Sequence, residues 1–261
     1  MSLVLISGAT GGIGKAFSKE LASRGEDLFL TARSQEKLNE LKSEIEKEFH
    51  VSVQIFACDL TNPKEIESLF AFADENGIKF HSLINVAGVD TQKPFIDYSF
   101  DKIVFQTRVN TESTMLITNG FLKRREGLSS IITIGSMSGA TPMPYFSLYS
   151  ASKSMLLSFF TGLKYELKKD KIKVTVVMPA GVYTRADVVE EINSQGLWGK
   201  LTAKTPEFIA KASLKANKKG KLKYIPGVFN KMLNFFIKIA PKGIVLRFIA
   251  KRWKTHSKDA F

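Results

Sequence analysis

Short runs of consecutive apolar residues alternate along this chain with longer stretches in which apolar residues return every three or four positions. Runs at 3–7, 27–31, 51–57, 80–86, 129–135, 172–178 and 222–225 have the length and continuity of buried strands. Between them, helix-period patterns occupy 12–24, 34–49, 62–75, 101–125, 147–169 and 206–218. In the second of these, Leu38, Leu41, Ile45 and Phe49 form one stripe that a helix turns to a single buried face. Asn62 before Pro63 and Thr205 before Pro206 mark helix starts, because a short polar side chain accepts from free N–H groups and proline needs no donor there. Buried strands alternating with helices predict an α/β fold, a doubly wound parallel β-sheet with helices on both faces.

No internal repeat, low-complexity tract or flexible linker breaks the alternation, so residues 1–261 read as a single domain. Its last part divides into a lid region with the final strand, 185–226, and an appendage, 228–261. In the appendage Phe229, Met232, Leu233, Phe236 and Ile237 share a helical face, with Asn230, Lys231, Asn234 and Lys238 opposite. Pro241 and Gly243 interrupt the pattern. A second stripe of Ile244, Val245, Phe248, Ile249 and Trp253 then runs beside Arg247, Lys251 and Arg252. The expectation is a pair of C-terminal amphipathic helices.

Composition adds limits. With 261 residues, 44% of them hydrophobic, the chain can bury an extensive core without disulfides or metals. Cys58 is the sole cysteine and His50, His81 and His256 are scattered, so neither a disulfide framework nor a metal site is expected. That cysteine usage suits a reducing compartment such as the cytoplasm. Met1-Ser2 lead straight into Leu3-Val4-Leu5-Ile6, so no secretory signal is expected, and no run reaches the ~18 apolar residues of a membrane-spanning helix. The net charge of +13 is uneven: residues 200–261 hold sixteen Lys/Arg and two Asp/Glu, whereas residues 1–199 are nearly balanced. A basic end with amphipathic helices fits peripheral contact with an anionic membrane through 228–254, packing over its own domain, a dimer contact, or a substrate entrance. No nucleic-acid-reading motif accompanies it, so nucleic acid is not an expected partner.

Gly8-Ala9-Thr10-Gly11-Gly12-Ile13-Gly14 follows the first strand and opens a helix. Such a turn lets backbone approach a pyrophosphate, and the helix N-terminus favours its charge, which makes the sheet Rossmann-like and Gly8, Thr10, Gly12, Ile13 and Gly14 candidate cofactor contacts. An acidic residue ~20 positions on would bind a free ribose 2′-hydroxyl. Here Leu28 to Gln35 contains no acid, and Arg33 with Ser34 stands where a 2′-phosphate would lie. A guanidinium fork matches a phosphate, so the expected cofactor is NADP(H).

Three of the six tyrosines have a lysine four residues on: Tyr98/Lys102, Tyr149/Lys153 and Tyr165/Lys169. Only Tyr149 follows a strand that ends in Gly135-Ser136-Met137-Ser138-Gly139. With the glycine turn, Asp59 after the third strand, Asn85-Val86-Ala87-Gly88 after the fourth, Asn110, and Pro179 to Thr184, the chain resembles the short-chain dehydrogenase/reductase family from residue 3 to about residue 185. The resemblance implies a catalytic tetrad of Asn110, Ser136, Tyr149 and Lys153. Tyr149 would be the acid/base, Lys153 would lower its pKa and bind the nicotinamide ribose, and Ser136 would donate to the reacting oxygen. Asn110 would hold a water linking the lysine to solvent. It also implies cofactor contacts at Asp59, Leu60, Asn85, Ala87, Gly88, Pro179, Gly181, Val182 and Thr184. Two positions depart from the family pattern: Val86 replaces an asparagine, and Ala180 separates Pro179 from Gly181.

The implied activity is NADP(H)-dependent hydride transfer between a carbonyl and a secondary alcohol by a homodimer or homotetramer. Val188, Val189, Ile192, Leu197, Trp198 and Leu201 make the lid region apolar, which fits either a hydrophobic substrate, lipid-like, acyl or steroid-like, or the ordinary packing of a lid helix. The alternative is a non-catalytic NADP(H)-binding regulatory or membrane-associated scaffold that keeps the fold.

Overall fold

The computed structural model describes residues 2–254 and 258–259; Met1, residues 255–257 with His256, and residues 260–261 at the end of the expected appendage lie outside the described residues. Strands β1 (Ser2–Ser7), β2 (Leu28–Ala32), β3 (Val53–Ala57) and β4 (Lys79–Asn85) alternate with helices α1 (Gly12–Ala22), α2 (Gln35–Phe49) and α3 (Pro63–Glu75). A two-residue strand β5 (Thr91–Gln92) and helices α4 (Phe100–Thr107) and α5 (Ser113–Lys123) precede β6 (Arg125–Ile134). Then come α6 (Ser147–Glu166), β7 (Lys173–Val177), α7 (Ala186–Ser194), α8 (Gly196–Thr202), α9 (Pro206–Lys218) and β8 (Lys223–Tyr224). Helices α10 (Val228–Ile239) and α11 (Lys242–Trp253) follow, with β9 (Lys258–Asp259) last.

The main sheet is parallel throughout, in the order β3-β2-β1-β4-β6-β7-β8. Strand alternation divides the core in two. Leu3 and Leu5 join Phe29, Phe70, Phe80, Phe121 and Phe160 on one face. Val4 and Ile6 join Phe17, Leu28, Leu30, Leu38 and Ile45 on the other. Chain order reverses between β1 and β4, and the crevice at the carboxyl ends of these strands is where open α/β sheets bind ligands. The predicted helix starts hold: Asn62 accepts from the Lys64 N–H and Thr205 from the Phe208 N–H.

Three features differ from the periodicity. The stretch 101–125 is not one helix, because Arg108–Glu112 forms a π-helical turn between α4 and α5. Thr111 and Ser113 donate their hydroxyls to the carbonyls of Thr107 and Val109, and such back-bonding accompanies distortion of the ladder. The second concerns β9, which pairs antiparallel with β5, a contact between segments too short to leave a pattern. The third is the orientation of α10. Asn230, expected on its polar face, is fully buried and donates to the carbonyls of Thr202 and Pro226, while Met232 and Phe236 are exposed. Asn230 thereby satisfies one carbonyl at the end of α8 and one just ahead of α10, and part of the expected apolar stripe faces outward.

Candidate active site

A cavity of about 890 Å³ runs along the carboxyl ends of the strands, from Arg33, Ser34 and Lys37 past the glycine turn to Tyr149 and Lys153, and on beneath α7, α8, α10 and α11. Its first part is shaped by close backbone approach. Gly8 has φ +70°, and a Cβ there would sit 2.7 Å from the Ala87 nitrogen. A Cβ on Gly12 would lie 3.1 Å from the Thr184 side chain, so the start of α1 meets the loop after β7. The cap residue Gly11 offers no side-chain acceptor, which leaves first-turn N–H groups free for an anion.

At the far end of β2, Ser34 caps α2 by accepting from the Lys37 N–H at 3.2 Å. Arg33 is exposed and has no hydrogen bond or ion pair among the described residues. Two cations, Arg33 and Lys37, thus flank one end of the cavity. Asp59 also lines it, with Oδ1 accepting from the N–H and hydroxyl of Thr61 at 2.9 Å each. Uncapped N–H groups, a glycine bed and two cations without an ion-pair partner among the described residues suit a dinucleotide that carries an extra phosphate.

At the reacting end, α6 presents Tyr149 and Lys153 one turn apart, with the Lys153 Nζ 5.6 Å from the Tyr149 ring centre. Phe146 stacks on Tyr149 with ring centres 4.5 Å apart and fixes its plane. Ser136 accepts from the Ser138 hydroxyl at 2.7 Å and from its N–H at 3.2 Å, so its own hydrogen is left for Tyr149 and the cavity. Lys153 donates to the Ile134 carbonyl at 3.0 Å. Burial and the Asp90 carboxylate hold the Tyr149 hydroxyl above the ordinary phenol range, not below it as the resemblance implied, while the Ser136 hydrogen bond pulls the other way. Burial lowers Lys153 to about 8, against the opposing pull of Asp90.

Asn110 sits on the π-helical turn, fully buried. Its Oδ1 accepts from the Val89 N–H at 2.8 Å, and its Nδ2 donates to the Val89 carbonyl at 2.8 Å and to the Ser152 hydroxyl at 3.2 Å. Every polar atom of the side chain is committed to holding the loop after β4 against α6. Gly88 lies between two members of the expected tetrad: a Cβ there would be 3.1 Å from the Lys153 Nζ and 3.5 Å from the Asn110 Oδ1.

Of the expected contacts, Gly8, Thr10, Gly12, Ile13, Arg33, Ser34, Asp59, Leu60, Ala87, Gly88, Ser136, Tyr149, Lys153, Pro179, Gly181, Val182 and Thr184 all line the cavity. Three expected residues do not. Asn110 is behind the wall, as described. Gly14 is a packing glycine, because a Cβ on it would stand 2.2 Å from the Gly8 oxygen. Asn85 points into the core, where its amide donates to Thr118 and Thr133 and ties β4 to α5 and β6. Two residues escaped the sequence reading, Asp90 and Lys37. The only signal for them was position: an acid two residues after Gly88, and a second cation close behind Arg33.

A doubly wound sheet with a glycine turn at its switch point and a Tyr/Lys pair across the crevice defines a nucleotide-binding oxidoreductase class. The chain belongs to the short-chain dehydrogenase family, whose sequence profile matches residues 2–195. The very-long-chain 3-oxoacyl-CoA reductase of Anas platyrhynchos is 34% identical over 198 residues, covering 72% of this chain and 62% of that one, so the chain spans less than two thirds of that relative. Among solved structures, a short-chain dehydrogenase from Sphingobium yanoikuyae in complex with NADPH superposes with a TM-score of 0.78 at 26% identity, covering 100% of both chains. A 7β-hydroxysteroid dehydrogenase shares the fold at a TM-score of 0.86 and 24% identity, covering 95% of this chain and 96% of that one.

Proposed function

We propose that this chain is an NADP(H)-dependent reductase that converts a ketone on a hydrophobic, acyl-type substrate to a secondary alcohol. The observation that carries the reading is the continuity of the cavity. One end offers Arg33 and Lys37, the middle offers Tyr149, Ser136 and Lys153, and the other end is walled by Val188, Trp198, Leu233, Ile237 and Phe248. A nicotinamide held there would supply the hydride. The Tyr149 hydroxyl gives its proton to the carbonyl oxygen, and Ser136 donates to that oxygen as charge grows on it. Charged Lys153 stabilises the phenolate that Tyr149 becomes. Asn110 acts at one remove, holding the Val89 loop against α6. The name of the Anas platyrhynchos relative supports the acyl class, and the apolar wall suits it.

Arg33, Lys37 and Ser34 are the groups assigned to the 2′-phosphate, with Thr184 next to the glycine turn for the carboxamide. Self-association through α4, α5 and α6 belongs to the same reading, since Phe100, Val104, Leu116 and Met155 are exposed there. A homodimer or homotetramer in light scattering would agree.

The test is NADPH oxidation, followed by absorbance, against medium- and long-chain ketones, 3-oxoacyl thioesters and keto-steroids. Turnover is expected with the parent chain, and Tyr149→Phe is expected to lower it about 10²–10⁴-fold while NADPH still binds. Tight NADPH binding with no turnover across the panel would instead favour the non-catalytic scaffold.

A further inference from the structure

The outer faces of α10 and α11 carry an apolar surface that no other described part of the chain covers. On α10, Val228, Met232, Phe235, Phe236 and Ile239 recur at helical spacing and are 53–72% exposed. On α11, Ile244 and Phe248 are each 63% exposed and also line the cavity, so they form its rim. Leu233, Ile237 and Ile249, on the inner sides of the same helices, line the cavity beneath. One pair of helices therefore shapes both an exposed greasy face and the mouth of the substrate chamber.

The charge on this pair has one sign. No acid occurs between Glu207 and Asp259, whereas α10 and α11 contribute Lys231, Lys238, Lys242, Arg247, Lys251 and Arg252. Lys238, Lys242, Arg247 and Lys251 are exposed and have no ion-pair partner among the described residues. Three occupants compete for such a face. A second copy would bring two acid-free cationic faces together, at a cost in repulsion. A nucleic acid would satisfy the lysines and leave the phenylalanines in water. An anionic lipid surface satisfies both sets: rings in the acyl boundary, cations on the headgroups.

We propose that α10 and α11 form an interfacial docking face for an anionic lipid surface, with the mouth of the cavity held against the lipid. The helices lie on the surface and do not cross it, since no described helix is long and apolar enough to span a membrane. An apolar substrate dissolved in the bilayer would then reach the rim at Ile244 and Phe248 without passing through water. The docking itself does not depend on the reaction assigned above.

The experiment is flotation of the full chain with phosphatidylcholine vesicles, with and without about one third phosphatidylserine. The chain is expected to float with the anionic vesicles, to stay behind with the neutral ones, and to be released as ionic strength rises. Phe235→Ser with Phe236→Ser, and separately Lys238→Glu with Lys242→Glu, are each expected to lower the bound fraction about tenfold or more, with circular dichroism and NADPH binding unchanged. Failure to float with anionic vesicles would overturn the proposal, as would variants that bind like the parent. So would an aromatic double variant that halves the mass in light scattering, because the face would then be a self-contact.

Discussion

Lys153 is the group at the reacting end whose charge changes nearest neutral pH. Burial brings it to about 8, and Asp90 holds it from falling further. Its charged form is the one that stabilises a phenolate, so kcat/KM for reduction, which reports the free enzyme, should fall above pH ~8. Tyr149, held above the ordinary phenol range, stays protonated throughout, as a proton donor must. Removing the Asp90 carboxylate takes away the pull that raises Lys153, so Asp90→Asn should move the alkaline limb to lower pH. A limb that stays in place or moves upward would contradict this placement of Asp90. At the other end, Arg33 has no competing partner among the described residues. Arg33→Ala should weaken NADPH binding by roughly 10–100-fold, the worth of a charge-assisted hydrogen bond, and leave NADH nearly unchanged. Equal losses for both cofactors would remove Arg33 from the 2′-phosphate. The residues of the expected tetrad were legible as candidates at this scale because each stands in an ordered series of motifs. Asp90 and Lys37 were not, since a single charged residue has no spacing to mark it.

The π-helical turn is the element that places Asn110, and hydrophobic period could not reveal it. Inserting one residue into a helical ladder shifts the face by only part of a turn, so 101–125 kept the pattern of one helix. The effect is mechanical. Asn110 reaches back to both backbone groups of Val89 and also to Ser152 on α6. Asn110→Ala would leave the buried Val89 N–H and carbonyl without partners, a cost of about 1–3 kcal/mol. Thermal unfolding should show Tm lowered by roughly 2–4 °C for each kcal/mol in a domain of this size. An unchanged Tm would mean that the loop is held elsewhere. Strands and caps were read well because burial on both sheet faces and the Asn-Pro and Thr-Pro pairs are local signals. The orientation of α10 was misread for the opposite reason: one of the two carbonyls that hold Asn230 belongs to Thr202, at the end of α8 and far along the chain.

Across the whole molecule, the alternation of strands and helices is enough to specify the sheet, since short right-handed crossovers leave few topologies for such a series. The cavity is not legible in that way. Its walls draw on residues from Gly8 to Trp253, and its apolar end comes from α7, α8, α10 and α11, mostly beyond the matched residues 2–195. Only folding shows that the basic appendage roofs the chamber next to Tyr149. That arrangement makes the substrate's apolar length the quantity the chamber should read. The most direct test is therefore NADPH oxidation with a series of 3-oxoacyl thioesters of increasing chain length. Each buried CH₂ contributes about 0.8 kcal/mol, so kcat/KM should rise roughly three- to fourfold per added carbon until the chamber is full. A flat or falling series, with turnover still abolished by Tyr149→Phe, would mean that the chamber beneath α10 and α11 does not hold an acyl chain.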